Sequence, residues 1–333
     1  MRKSKIMGTG MYVPERVVTN DELATMMTTS DEWIQNRTGI KERRYAKDGE
    51  GAASMAVHAS KEAIEKAGLT NQDIDMIIFA TLSPDIFFPG SGCYLQSKME
   101  FDTIPALDIR QQCSGFIYAV SIADQYIKTG MYDNILVIGA ENHSSGLEYN
   151  DRGRGVTVLF GDGAGAVVMG PASDDEEGLI SANLHAEGKY YDKLWNPSPM
   201  SERIPRIKKE DFDDGLIYAM MDGQTVFRNA IPRFSEAIEE ALDGTGYTVD
   251  DLDLFVPHQA NLRINQMVAK KMKIPEEKMV TTIDRYANTT AATIPIGLCE
   301  AIKDGRLEKD KLVLAAAFGA GFTWGAFLMR WSA

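Results

Sequence analysis

Short, almost unbroken apolar runs alternate along this chain with longer segments in which apolar residues recur every three or four positions. Runs at 4–13, 74–81, 104–109, 134–140, 252–256 and 279–282 have the length and composition of buried strands. Segments 51–68, 90–99, 114–128, 224–242, 262–272 and 291–303 carry the helical period, and Gly68 and Gly130 stand where helix-ending glycines belong. Two shorter helices are expected at 19–27 and 30–37, introduced by Asn20 and Ser30 with acidic residues in the first turn. Pro232 predicts a kink or boundary inside 224–242. Residues 156–160 with 165–170, and 311–318 with 323–330, read as strand pairs around glycine-containing turns. Strands and helices alternating throughout predict an α/β layered fold.

The pattern breaks between Pro171 and Asp214. Residues 173–177 read as an acidic turn, and 190–214, rich in Pro, Lys and Asp, as a long surface insertion or lid. Either side of this break the order is the same: strands, a helix after a reactive-looking loop, then a closing strand pair. A duplicated architecture is therefore expected, with halves at 1–171 and 172–333.

Composition narrows the function classes. The 333 residues carry a net charge of −13, which argues against nucleic acid as a partner. Three cysteines, without C-x-x-C spacing, speak against a disulfide scaffold and for a reducing compartment. Residues 1–12 lack the apolar core of a signal peptide, and no apolar run approaches the ~20 residues of a membrane span. A cytoplasmic protein without membrane contact is the expectation. Nothing has metal-ligand spacing, and the run from Gly161 to Gly165 imitates a dinucleotide fingerprint but leads into a strand, not a helix.

Four segments can carry chemistry. Cys113 opens a helix, where unsatisfied N–H groups and the helix dipole favour a thiolate; a buried structural cysteine is the plainer alternative. His258 follows a strand, at the carboxyl edge where α/β sheets build their sites. Of the other histidines, His58 lies within a helix, and His143 and His185 have no supporting pattern. Asn288, between a strand and a helix, is either a turn residue or an amide donor for a developing oxyanion. The run from Phe318 to Gly325 places small residues between two strands, where backbone N–H groups can face a ligand. The order Cys, His, Asn also suits a papain-like hydrolase, but that family's local signature is absent around Gln112-Cys113-Ser114-Gly115.

Taken in order, these segments resemble the β-ketoacyl-[acyl-carrier-protein] synthase III family. The resemblance rests on G-T-G at Gly8, S-D-E-W-I-Q-N-R-T-G-I at Ser30, C-S-G-F at Cys113, F-G-D-G-A-G at Phe160, H-Q-A-N-L-R-I at His258, N-T-T-A-A at Asn288 and F-G-A-G-F-T-W-G at Phe318. It implies a thiolase-like, five-layered αβαβα fold in a homodimer. It also implies a ping-pong reaction without a cofactor, in which acyl-CoA acylates Cys113 and malonyl-acyl-carrier-protein then condenses with loss of CO₂. By the same resemblance, His258 and Asn288 hold the malonyl thioester oxygen, and the N–H groups of Cys113 and Ala320 form an oxyanion hole.

Trp33, Arg37, Gly223 and Asn261 match positions that bind CoA and its pantetheine arm. A further arginine matches either Arg152 or Arg154, because the segment around it is about two residues longer than usual; Arg152 is taken as the expectation. Phe88 and Phe160 match the primer pocket, Phe88 reaching across the dimer. Arg263, Lys270 and Lys271 form a basic patch suited to an acidic carrier protein. Related condensing enzymes of specialised metabolism use the same triad. The unusual Arg110-Gln111-Gln112 before the nucleophile, together with the 190–214 segment, leaves the primer open.

Overall fold

The structure is a computed structural model that describes residues 2–173 and 178–333; most of the expected acidic turn at 173–177 lies outside them. One sheet contains β1 (Ser4–Tyr12), β2 (Met76–Ala80), β3 (Ala106–Ile109), β4 (Ile135–Glu141) and β5 (Gly163–Pro171), in the spatial order β1-β5-β4-β2-β3. The second contains β6 (Leu179–Ala186), β7 (Leu254–Pro257), β8 (Leu312–Gly319) and β9 (Thr323–Arg330), in the order β6-β9-β8-β7, and Met279 bridges to Phe255 at its edge. In both sheets the parallel strands occupy one side and two antiparallel neighbours the other.

Helices fill three layers. The labels are α1 (Asp31–Thr38), α2 (Ala52–Lys66), α3 (Ser91–Met99), α4 (Gly115–Thr129), α5 (Gly223–Leu242), α6 (Leu262–Met272) and α7 (Thr293–Lys303). Side chains alternate across each strand, so every sheet feeds two cores. Ile78 and Val137 of the first sheet meet Val313 and Ala315 of the second through Phe116, Val120, Ile294 and Leu298, which places α4 and α7 in the middle. Ile77 and Phe79 point the other way, against α2 and α3. Phe255 and Leu314 face α5 and α6. The result is the expected αβαβα layering.

Several sequence expectations are corrected. Residues 156–160 form no strand: a short helix covers Arg154–Thr157, and Phe160 makes only an isolated bridge to Asn288. An apolar run this short fits either period, and the segment takes the helical one. Residues 279–282 contribute a single bridge in place of a strand. The long helix α5 runs through Pro232 without ending. Strand β6 lies inside the stretch read as irregular, because its half-exposed face breaks the apolar run. The 190–214 segment is partly ordered, with Leu194–Trp195 pairing with Met220–Met221 and a short helix at Glu210–Asp213.

Candidate active site

Cys113 lies in a single turn of helix, Gln112–Ser114, between β3 and α4. The residue before it, Gln112, has φ of 42°, a left-handed conformation that costs about 1–2 kcal/mol for a side-chain-bearing residue. This sharp turn carries the sulfur to the floor of a cleft of about 1270 Å³. Two glycines let other backbone segments close in. At Gly319, the last residue of β8, an added Cβ would lie 2.5 Å from Cys113 Cβ and 2.9 Å from its sulfur. At Gly139 in β4 an added Cβ would strike the Ala291 carbonyl oxygen at 2.2 Å, so only glycine admits the turn at Thr290–Ala292.

That turn joins the other two candidates to Cys113. It packs against the turn bearing Cys113. The backbone N–H of Thr290 donates to Asn288 Oδ1 at 2.8 Å, which fixes the carboxamide, and its nitrogen has no hydrogen bond among the described residues. The Asn288 backbone is pinned on both sides, its N–H to Leu159 O at 2.9 Å and its carbonyl to Gly161 N–H at 3.1 Å. His258 follows β7; its N–H donates to Ala316 O in β8 and its carbonyl accepts from Asn265 Nδ2. Its Nδ1 lies 2.7 Å from Thr293 Oγ1, and that hydroxyl is 3.0 Å from Thr290 O. A hydroxyl has one proton. With that proton on Thr290 O, Thr293 accepts from Nδ1–H and the imidazole lone pair sits on Nε2. Nε2 is fully buried and has no hydrogen-bond partner among the described residues.

The electrostatics reverse one expectation. Placement at a helix start does not activate the thiol at rest. Burial, and then the charge of Glu141, push the Cys113 thiol up to about 12, against the opposing pull of the Ala320 and Cys113 N–H groups. Desolvation outweighs the helix dipole because Cys113 is only 5% exposed. Burial likewise pushes His258 down to about 3, so the imidazole is neutral. The free protein should therefore show no thiolate near neutral pH. The rate of Cys113 alkylation by iodoacetamide, followed on its own peptide because Cys93 is exposed, should rise about tenfold per pH unit from 7 to 10. A plateau near pH 8 would contradict this.

The remaining expected residues fall into place unevenly. Phe160 lines the cleft beside Cys113. Phe88 is 80% exposed and does not line it, which rules out core packing. Trp33 is flanked by two guanidinium groups, Arg37 at 4.6 Å and Arg154 at 5.0 Å from the ring centre. Arg154 is thus the arginine beside the indole. Arg152 is turned away, ion-paired with Glu148 at 2.5 Å and donating to Asp213 O at 2.7 Å. Asn261 caps α6 through Arg263 N–H and donates to Arg37 O at 2.9 Å, tying the His258 loop to the Trp33 helix. Gly223 starts α5, and an added Cβ there would meet only Met221 at 3.4 Å. Arg263, Lys270 and Lys271 are exposed on α6, and none enters an ion pair among the described residues.

Sequence reasoning passed over His143. It is buried, lines the same cleft as Cys113, and places Nε2 2.7 Å from Thr290 Oγ1, with its ring 4.6 Å from that of Phe160. Asp162 holds it there by accepting from the N–H groups of His143 and Ser144 at 2.7 and 2.9 Å. No local pattern marks this residue; the G-D-G turn supplies the carboxylate from across the sheet.

A cysteine on a strained turn, a neutral imidazole and an oriented carboxamide, set between the two sheets of an αβαβα fold, define a thiolase-fold condensing enzyme. Comparison with known proteins narrows the class. The description "3-Oxoacyl-[acyl-carrier-protein (ACP)] synthase III" matches residues 107–188, and its C-terminal counterpart matches 242–331. The chain is 46% identical over 327 residues to the β-ketoacyl-[acyl-carrier-protein] synthase III of Aliivibrio fischeri, covering 98% of this chain and 99% of that one. It is 42% identical over 328 residues to that of Xanthomonas axonopodis pv. citri, covering 98% of both. The crystal structure of 3-oxoacyl-[acyl-carrier-protein] synthase III from Aquifex aeolicus superposes with a TM-score of 0.90 at 43% identity, covering 98% of this chain and all of the other. The chain belongs to the β-ketoacyl-[acyl-carrier-protein] synthase III family.

Proposed function

We propose that this protein joins an acyl-CoA primer to malonyl-acyl-carrier-protein, the condensation that starts fatty acid synthesis. The observation that carries this reading is the single hydrogen-bonded unit formed around Thr290, which orients both His258 and Asn288 beside the turn holding Cys113. In the first half-reaction Cys113 Sγ attacks the primer carbonyl while its proton passes to the free lone pair of His258 Nε2. The N–H groups of Cys113 and Ala320 hold the tetrahedral oxyanion. Collapse breaks the bond to sulfur of CoA, which leaves with the proton as the free thiol. An imidazolium is costly in so buried a site, so it is sustained only while a thiolate or oxyanion stands beside it.

In the second half-reaction the malonyl C–CO₂ bond breaks and the electron pair moves into an enolate. Asn288 Nδ2 donates to its oxygen, and His258 donates from Nε2–H in the tautomer in which the Thr293 hydroxyl turns its proton onto Nδ1. The enolate carbon attacks the acyl-cysteine, the C–S bond breaks, and a 3-oxoacyl-acyl-carrier-protein departs. No step needs a cofactor. CoA binding is assigned to Trp33 and Arg154, a flat indole with a cation over it for the adenine, with Arg37 near the phosphates. The side chain of Asn261 is committed to Arg37 and the start of α6, so it serves the pantetheine path by shaping it. The exposed Phe87 and Phe88 are assigned to contact with a second copy of the chain, whose pocket Phe88 closes. Arg263, Lys270 and Lys271 would receive the acidic carrier protein. The acidic chain acts in the cytoplasm.

The test is covalent. Incubation with radiolabelled acyl-CoA primers should place one acyl group on the peptide bearing Cys113, and addition of malonyl-acyl-carrier-protein should discharge it as 3-oxoacyl product. If no acyl-CoA labels that peptide, the reading fails.

A further inference from the structure

Polar side chains stand in the walls of the cleft that holds Cys113, where the acyl chain of a primer has to lie. His143 and Thr290 are buried there as a hydrogen-bonded pair, and Gln112 lines the same cleft beside the sulfur. The pairing uses only one nitrogen of the His143 ring. If Thr290 donates, Nδ1 carries a proton; if Thr290 accepts, Nδ1 carries a lone pair and the threonine proton is left over. The first arrangement leaves one hydrogen-bonding capacity, the second two, without a partner among the described residues. The carboxamide of Gln112 makes no hydrogen bond among the described residues, whereas Ser144, elsewhere in the lining, is committed to Asp162. An alkyl primer would strip water from His143, Thr290 and Gln112 and return nothing, a penalty comparable to leaving buried polar groups unpaired.

We propose that the primer accepted at Cys113 carries a hydroxyl group, which hydrogen-bonds to the His143–Thr290 pair and Gln112. This rests on the condensing reading above and specifies its substrate. Phe160, against the His143 ring, supplies the apolar wall for the carbons. A neutral oxygen is favoured over a carboxylate for two reasons. Burial pushes His143 down to about 3, so it brings no positive charge. Four carboxylates against three cations line the cleft, so its wider field does not attract an anion.

The experiment compares kcat/KM for butyryl-CoA, 3-hydroxybutyryl-CoA, 4-hydroxybutyryl-CoA and succinyl-CoA with malonyl-acyl-carrier-protein. At least one hydroxylated primer should exceed butyryl-CoA by about tenfold or more, since a site built around a substrate hydroxyl discriminates strongly against its deoxy analogue. His143→Leu should erase or invert that ratio, and His143→Gln, which keeps a donor and an acceptor, should retain a preference. Butyryl-CoA or succinyl-CoA as the best primer overturns the proposal. A His143→Leu variant that slows all primers equally, leaving the ratio unchanged, overturns it too, because the residue is then only structural. Failure of every primer, acetyl-CoA included, to acylate Cys113 overturns instead the condensing reading and this inference with it.

Discussion

Asn288→Asp should abolish decarboxylative condensation by about 10²–10³-fold while leaving acylation of Cys113 by the primer within a fewfold of the native rate. The two outcomes separate because the side chain is already oriented. Thr290 N–H holds Oδ1 at 2.8 Å, so only the nitrogen of the native amide can face the reacting thioester. The Asp variant keeps the Thr290 hydrogen bond and is nearly isosteric, so the turn and the backbone contacts to Leu159 and Gly161 have no reason to move. What changes is the atom presented to the enolate. A donor becomes a carboxylate oxygen, which has no proton to give and repels the charge that decarboxylation creates. Acylation draws its oxyanion stabilisation from the N–H groups of Cys113 and Ala320 and is spared. Separate measurement of CoA release and CO₂ release distinguishes the half-reactions. Equal losses in both would mean that Asn288 serves the nucleophile as well.

The three candidate side chains were legible because each stands at a boundary between elements, and boundaries leave marks in sequence. Cys113 precedes a strongly apolar helix, His258 follows a strand and a proline, and Asn288 precedes a threonine-rich helix start. The two sheets were legible for the same reason, since fully buried strands such as β4 and β8 read as unbroken apolar runs. Misreadings arose where tertiary packing overrides local pattern. Residues 156–160 have strand composition, yet they are held by hydrogen bonds from Gly161 N–H to Asn288 and from Asn288 N–H to Leu159, contacts made by a segment more than a hundred residues on. The thiol's acidity was misjudged because a sequence shows the helix start but not the depth of burial, and here depth decides the sign. The choice between Arg152 and Arg154 was undetermined for a similar reason. Two arginines separated by one glycine point to different partners, and only the fold shows Glu148 beside one and Trp33 beside the other. His143 left no sequence mark at all, since its place in the cleft is set by Asp162 and Thr290.

Gly319→Ala should remove acylation itself, by about 10²-fold or more, and lower stability by about 1–3 kcal/mol. Gly319 ends β8, where Thr323 of β9 is its register partner, and the strand's antiparallel pairing leaves the backbone little freedom to retreat. An alanine methyl would sit 2.5 Å from Cys113 Cβ, 2.9 Å from the sulfur and 3.2 Å from the Cys113 backbone nitrogen. Real Cβ atoms do not approach so closely, so either the nucleophile or the strand must shift. Rotation of the thiol relieves only the contact to sulfur. The contact to Cβ remains, and it can be eased only by moving the turn at Gln112–Ser114, which is already in a left-handed conformation at Gln112. That movement carries the sulfur away from Ala320 N–H, the next residue's donor, and so breaks the alignment between nucleophile and oxyanion hole that the first half-reaction requires. Urea unfolding measures the stability loss, and CoA release in the absence of malonyl-acyl-carrier-protein measures acylation. A variant with native acylation would show that the strand end yields freely, and that the close packing of Gly319 against Cys113 is not what positions the sulfur.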